Sequence, residues 1–153
     1  MSDAAPDKVL IHDAARPVLP LPVIERLLNA LEDHSGAIPT LPVVDSLALA
    51  SADETMAGKA EREKLRRVQT PQAFRFDDIL EAHHKWPGAP DAGDDAQVLM
   101  LHTEDSAGSV ALVQGDEKLK KITFAEDLME HTGSAPFRVG QGYDVHRLEE
   151  GEE

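Results

Sequence analysis

An α/β fold on a mostly parallel sheet, with helices on both faces, is what this sequence predicts. Two observations predict it: short apolar runs suited to buried strands, and amphipathic stretches of helical period alternating with them.

In chain order, Lys8–Ile11 is an apolar run that reads as a buried strand ending in His12-Asp13. From Leu21 to His34, apolar residues fall at Val23, Leu27, Leu28 and Leu31. With Pro22 near the first turn and Gly36 beyond the end, this predicts an amphipathic helix. Residues 37–44 are apolar, but Pro39 and Pro42 demote the run from a regular central strand or mark its ends. Residues 45–61 are polar, alanine-rich and aperiodic, so an arm or hairpin is expected there. Residues 66–70 suit a short strand halted by Pro71. A helix is expected over residues 76–86, with Asp77 or Asp78 near its start and Ile79, Leu80 and His83 on one side. A second helix over 94–102 is capped by Asp94 or Asp95, with Val98, Leu99 and Leu101 inward. Strands are expected at 109–113 and 119–123, and a short helix at 124–130. The TGSAP stretch at 132–136 reads as a linker, after which a strand pattern restarts at Phe137.

A chain of 153 residues suits one domain with a modest core, and an aromatic content of 4% leaves that core to aliphatic residues. With no cysteine, disulfides, thiolate metal sites and cysteine nucleophiles are excluded. No apolar run is long enough to span a membrane and Met1–Asp7 has no apolar signal core, so a cytoplasmic protein without membrane contact is expected. The net charge of −14 argues against nucleic-acid partners. Yet eight of the fifteen Lys and Arg residues crowd into two windows: Lys59, Arg62, Lys64, Arg66 and Arg67, and then Lys118, Lys120 and Lys121. Such clusters are either solvated surface charge or the makings of an anion site.

His12-Asp13-Ala14-Ala15-Arg16-Pro17 directly follows the first strand, where ligands bind in open α/β sheets. There an Asp can accept hydroxyl hydrogen bonds and an Arg can hold a phosphate. Taken alone, Asp-x-x-Arg is more often a capped turn with an ion pair. Further segments follow: Val43-Val44-Asp45-Ser46, Arg62 eight residues before Thr70-Pro71-Gln72, Asp94-Asp95-Ala96, and Lys121-Ile122-Thr123 with Glu126-Asp127-Leu128. In this order and spacing, over roughly residues 8–131, the chain resembles the 2-C-methyl-D-erythritol 4-phosphate cytidylyltransferase family.

The resemblance implies a Rossmann-like nucleotidyltransferase sheet, incomplete here, with a dimerisation arm at about 44–62. It implies transfer of a cytidylyl group from CTP to 2-C-methyl-D-erythritol 4-phosphate, with Mg²⁺, by a homodimer joined through its arms. By resemblance, Asp13 and Arg16 contact the sugar phosphate, and Ala14 lies near the ribose. Thr70 and Ser46 supply substrate-contacting hydroxyls, and Arg62 and Lys121 are the catalytic cations. Ser46 and Arg62 would act on the partner's site. Gly93 stands where the family has a Thr, and no Gly-rich phosphate loop occurs among residues 1–131. The expectation is therefore a C-terminal part of the enzyme over residues 1–131, with an inactive fragment that associates through its arm as the alternative.

Val139-Gly140-Gln141-Gly142-Tyr143-Asp144-Val145-His146 forms a second motif. An Asp and a His two apart on a strand share a face and can ligate a divalent metal, or can be ordinary strand-end and surface residues. The motif resembles the start of 2-C-methyl-D-erythritol 2,4-cyclodiphosphate synthase, which is fused behind the cytidylyltransferase in bifunctional enzymes. This implies that residues 137–153 begin a cyclase domain, with Asp144 and His146 as ligands of Zn²⁺ or another divalent metal in an incomplete site.

Overall fold

A computed structural model of the chain describes residues 5–88, 92–103, 109–124 and 127. The chain divides into two compact units, Met1–Lys121 and Ile122–Glu153. In the second, the Asp127 carboxylate accepts hydrogen bonds from the backbone N–H groups of Thr123 and Phe124, forming a local capped turn. The expected linker at 132–136, the cyclase start at 137–153 and most of the helix at 124–130 lie outside the described residues.

The first unit holds β1 (Lys8–Ile11), α1 (Leu21–Ala30), β2 (Gly36–Pro42), β3 (Ala48–Ala50), β4 (Met56–Lys59), β5 (Arg66–Val68), β6 (Gln72–Arg75), α2 (Phe76–Lys85), α3 (Asp95–Thr103) and β7 (Val110–Gln114). Strand β2 is central. Along one edge it pairs antiparallel with β5 and β6, and along the other it pairs parallel with β7. Strand β1 closes the far side of β6, also antiparallel.

The expected mostly parallel sheet is thus corrected to a mixed one. Since β1 and β2 each run antiparallel to β6, they run parallel to each other, and β7 shares their direction. Strand β5 runs reversed, and so does the strand inserted between β1 and β2, which leaves three of the four neighbouring pairs antiparallel. That strand, β6, was absent from the sequence reading. Its four residues sit between Pro71 and α2, with no turn residue separating them from the helix.

Proline does not keep β2 from the centre of the sheet. Pro39 lacks a donor, and the ladder on its β5/β6 edge breaks at that point, between Thr40↔Val68 and Ala37↔Ala73. The Pro39 carbonyl still accepts from the Gln69 N–H at 2.9 Å. Pro42 ends the strand.

Alternation along β2 and β6 divides the core in two. Ala37 and Ala73 face Val23, Leu27 and Leu31 of the α1 segment, with Leu119. Ile38 and Phe74 face Ile79 and Ala82 of α2 and Ala96, Val98 and Leu99 of α3. Helices therefore cover both faces, as expected. On α2 the inward pair is Ile79 and Ala82. Leu80 is 42% exposed, and His83 is turned outward to Asp95 at 2.9 Å, contrary to the sequence reading. Asp94 caps α3 by accepting from the Gln97 N–H at 3.0 Å. The C-terminal carbonyls of α1 accept from Arg75, through Leu31 and Glu32, and from Lys8, through Leu28.

The aperiodic stretch folds as the expected hairpin, β3–β4, which leaves the end of β2 and returns into β5. Its turn is held by Asp53, whose carboxylate accepts from the Ser51 and Thr55 hydroxyls. The expected strand at 119–123 is instead a 3₁₀ turn, Glu117–Leu119, followed by irregular chain, because Asp116 accepts from the Lys118 N–H and starts a turn. Among the described residues, no helix is long and apolar enough to cross a membrane.

Phe74 is fully buried where both helices meet the sheet, so Phe74→Ala should cost about 3–5 kcal/mol in urea unfolding, against about 1 kcal/mol or less for Leu80→Ala. Comparable losses at the two positions would contradict the division of the core.

Candidate functional site

The ends of the parallel strands gather the site. Residues 12–16 follow β1, residues 115–121 follow β7, and Thr70 precedes the reversed strand β6, so all lie at one end of the sheet.

The turn after β1 is held by a chain of hydrogen bonds. The Asp13 N–H donates to Thr70 Oγ1 at 2.9 Å, and Thr70 Oγ1 lies 3.1 Å from His12 Nδ1. His12 Nε2 is 2.9 Å from the Arg16 carbonyl, which can only accept. A neutral His12 therefore carries its proton on Nε2 and accepts the Thr70 hydroxyl at Nδ1. Within the turn, Asp13 Oδ1 accepts from the Ala15 N–H at 3.0 Å, and the Asp13 carbonyl accepts from the Arg16 N–H at 2.9 Å.

This geometry aims the second carboxylate oxygen of Asp13 at two cations, Lys121 Nζ at 2.9 Å and Arg16 Nε at 3.9 Å. Burial pushes the Asp13 carboxyl up, but the hydrogen bonds from Lys121 and Ala15 and the charges of Lys121 and Arg16 outweigh it and hold the group below the ordinary carboxylate range. Arg16 is mostly buried. Its Nη1 donates to the Leu119 carbonyl, while its Nε is buried without a hydrogen-bond partner. Burial pushes the guanidinium down from its usual value, and the Asp13 charge opposes that.

Lys121 is placed by a clamp that sequence reasoning missed. Gln69, 5% exposed, uses both ends of its amide on residue 116: Nε2 donates to the Asp116 carbonyl at 2.9 Å and Oε1 accepts from the Asp116 N–H at 3.1 Å. The Gly115 N–H donates to the Thr40 carbonyl at 2.9 Å. A Cβ on residue 115 would stand 2.1 Å from Gln69 Oε1, so the approach requires glycine. Buried Leu119 anchors the next turn in the α1 face of the core. An open hollow of about 210 Å³ results, lined by Arg16, Arg67, Gln69, Glu117, Lys120 and Lys121 among others. Gln72 does similar work at α3, donating to Asp94 Oδ2 and accepting from the Ala96 N–H, each at 3.1 Å. Gln72 belongs to the Thr-Pro-Gln motif that sequence reading singled out, whereas a buried amide such as Gln69 leaves no periodic or spacing signal.

Of the residues expected at the site, Asp13, Arg16, Thr70 and Lys121 come together, with Ala14 exposed in the same turn. Ser46 and Arg62 line a separate hollow of about 430 Å³ on the arm, with Leu47, Met56 and Lys59. There Arg62 Nη1 donates to the Val44 carbonyl at 2.9 Å, and Nε lies 3.6 Å from Glu63. Asp144 and His146 lie outside the described residues. Among the described residues, no three His, Asp or Glu side chains converge as a metal site, and the Asp13 carboxylate is already committed to Lys121 and Arg16. This donor set does not fit a protein-held Mg²⁺, which takes carboxylate oxygens free of competing cations.

The family model of IspD, 2-C-methyl-D-erythritol 4-phosphate cytidylyltransferase, matches residues 1–133. The chain belongs to the IspD family. All of it aligns at 65% identity with the bifunctional enzyme IspD/IspF of Erythrobacter litoralis, spanning 38% of that protein. The crystal structure of the IspD cytidylyltransferase from Thermus thermophilus superposes with a TM-score of 0.70 at 36% identity, over 83% of this chain and 61% of that one. The bifunctional IspDF from Campylobacter jejuni gives a TM-score of 0.67 at 25% identity, over 83% and 31%. The chain thus spans well under half the length of the curated IspD/IspF relatives it matches. Its IspD-type α/β nucleotidyltransferase fold is the one that the resemblance implied.

Two outcomes test this geometry. Gly115→Ala should lower stability by about 1–3 kcal/mol in urea unfolding, and adding Gln69→Ala should cost less than the sum of the two changes, because the clash partner is gone. Asp13 has a folded pKa below its unfolded value of about 3.8, so its contribution is complete at neutral pH and is lost as pH falls through the folded value. Asp13→Asn should therefore flatten the stability profile at and below about pH 4, and an unchanged acid limb would contradict the Lys121 pairing.

Proposed function

We propose that this chain supplies the sugar-phosphate side of a cytidylyltransferase site, for transfer from CTP to 2-C-methyl-D-erythritol 4-phosphate in isoprenoid precursor synthesis. One observation carries the reading: Asp13, Arg16 and Lys121 converge at the carboxyl ends of parallel strands, beside a hollow lined by cations in a strongly acidic chain. The chemistry suits these groups. A phosphate oxygen of the sugar phosphate attacks the α-phosphorus of CTP, the bond to the bridging oxygen breaks, and pyrophosphate leaves. Two anions must approach, so cations fixed in advance offset their repulsion.

Lys121 and Arg16 hold the sugar phosphate in this reading, and Asp13 orients them and accepts from sugar hydroxyls. Ala14 leaves room for the ribose. The Thr70 hydroxyl, engaged by the Asp13 N–H and His12, acts first by holding the turn and turns to substrate only by leaving His12. Mg²⁺ would arrive on the nucleotide phosphates and not on a ligand set of the described residues. Residues 1–131 make the cytidylyltransferase portion. Residues 132–136 are the linker, and 137–153 start a cyclase domain whose Asp144 and His146 would be two ligands of Zn²⁺ or another divalent metal.

The arm supports a homodimer. Val44, Leu47, Leu49 and Met56 are exposed apolar residues on one excursion that also carries Ser46 and Arg62. Reaching a second copy would bury them and bring Arg62 to the partner's Lys121 hollow, as a cation acting in trans.

Calorimetric titration with 2-C-methyl-D-erythritol 4-phosphate, alongside pyrophosphate release from CTP, tests the site. Lys121→Ala should weaken sugar-phosphate binding by about 10-fold or more through loss of a charge-assisted contact. Binding indifferent to both Lys121→Ala and Arg16→Gln would overturn the reading. For the arm, Leu49→Glu with Met56→Glu should shift sedimentation toward the monomer without altering the far-UV spectrum, and an unchanged sedimentation profile would count against arm-mediated dimerisation.

A further inference from the structure

The hollow beside Lys121 contains a cation that neither the sequence motifs nor the family resemblance assigns. Arg67 lies on β5, opposite Leu41 of β2. Gln69 directly follows β5 and is 5% exposed. The Gln69 amide clamps residue 116, and this brings the next residue, Glu117, to Arg67. Arg67 Nη2 donates to Glu117 Oε1 at 2.6 Å. Both side chains are about half exposed or more, so the pair is weak and open to competition from a stronger anion. One clamp therefore sets two ion pairs on one rim, Arg67–Glu117 and Lys121–Asp13.

Arg16, Arg67, Lys120 and Lys121 all line this hollow, with Glu117 the single carboxylate among its lining residues. Counting Asp13, which pairs with Lys121 and Arg16, four cations meet two carboxylates here, a local excess of positive charge in a chain whose net charge is −14. A guanidinium offers a phosphate a two-pronged hydrogen bond that an ammonium cannot. We propose that Arg67 is an additional phosphate ligand of this site, held in reserve by Glu117, which a bound phosphomonoester displaces. Glu117 then sets specificity. It favours a ligand with the doubly charged terminal phosphate of a sugar phosphate over a singly charged anion, since only the former competes well for the guanidinium. The inference rests on reading the Arg16–Lys121 hollow as the phosphate site.

Titration of the ¹⁵N-labelled 153-residue chain with inorganic phosphate, and then with 2-C-methyl-D-erythritol 4-phosphate, tests it through the amide shifts of residues 67–69 and 115–121. The unperturbed remainder of each spectrum reports that the variant is folded. Arg67→Gln should weaken both ligands about 2–5-fold, and Glu117→Gln should tighten them by a similar factor, as expected for an exposed pair. Arg67→Lys should recover only part of the loss. If Lys121→Ala abolishes binding while Arg67→Gln and Glu117→Gln change nothing, the role of Arg67 is overturned and the phosphate site stands. If Glu117→Gln weakens binding, displacement of Glu117 is overturned. If the wild-type chain shows no saturable response, or Lys121→Ala has no effect, both readings fall.

Discussion

Strand β2 is paired along both edges and buried on both faces, and the remaining structure depends on that. A seven-residue strand from Gly36 to Pro42 receives β7 on one side and β5/β6 on the other. Its alternate side chains enter two separate cores. Few polar groups are tolerated there, and the two prolines fit because the ladder breaks where Pro39 has no donor and the strand stops at Pro42. The strands flanking β2 decide where the polar loops meet. The ends of β1 and β7 and the start of β6 are brought to one edge of the sheet, and the charged residues follow.

At that edge, hydrogen-bonded side chains set the geometry. His12 and Thr70 fix the turn that carries Asp13 and Arg16. Gln69, closing on Asp116 over Gly115, fixes the loop that carries Glu117 and Lys121. Asp13 then joins the two loops through Lys121. The buried Gln69 amide and the half-buried Thr70 hydroxyl are each hydrogen-bonded on more than one side, which favours a single loop arrangement. The partly buried Arg16, with its unpartnered Nε, is the place where this satisfaction is incomplete, and it borders the hollow.

The arm is built on a different physical basis. Its hairpin turn is locally self-sufficient, through Ser51, Asp53 and Thr55, but its strands have little core beneath them. Two antiparallel strands in water are marginal by themselves. Leu49 and Met56 stay exposed on the hairpin. The first cation window seen in the sequence therefore divides in space, with Lys59 and Arg62 on the arm and Arg67 beside the second window. Arg62 belongs to the arm, and the residue that meets Lys121 within one chain is Arg67.

Much was legible from residues alone. Helical periodicity located α1, with Val23, Leu27 and Leu31 of its four apolar positions fully inward, the pair Asp94-Asp95 announced the cap of α3, which Asp94 makes, and the lack of period at 45–61 announced an excursion that folds as a hairpin. Through the family resemblance, the motif order grouped Asp13, Arg16, Thr70 and Lys121, and the fold does bring these four together. Periodicity is a local property, however, and says nothing about which strand lies beside which. Only the tertiary structure decided that β6 runs backwards between β1 and β2, that Ala82 and not Leu80 enters the core, and that 119–123 closes a 3₁₀ turn and runs on irregularly instead of forming a strand. It also decided the partners of Gln69 and Arg67, because a hydrogen bond across 47 residues and an ion pair across 50 depend on strand register, which no local pattern encodes.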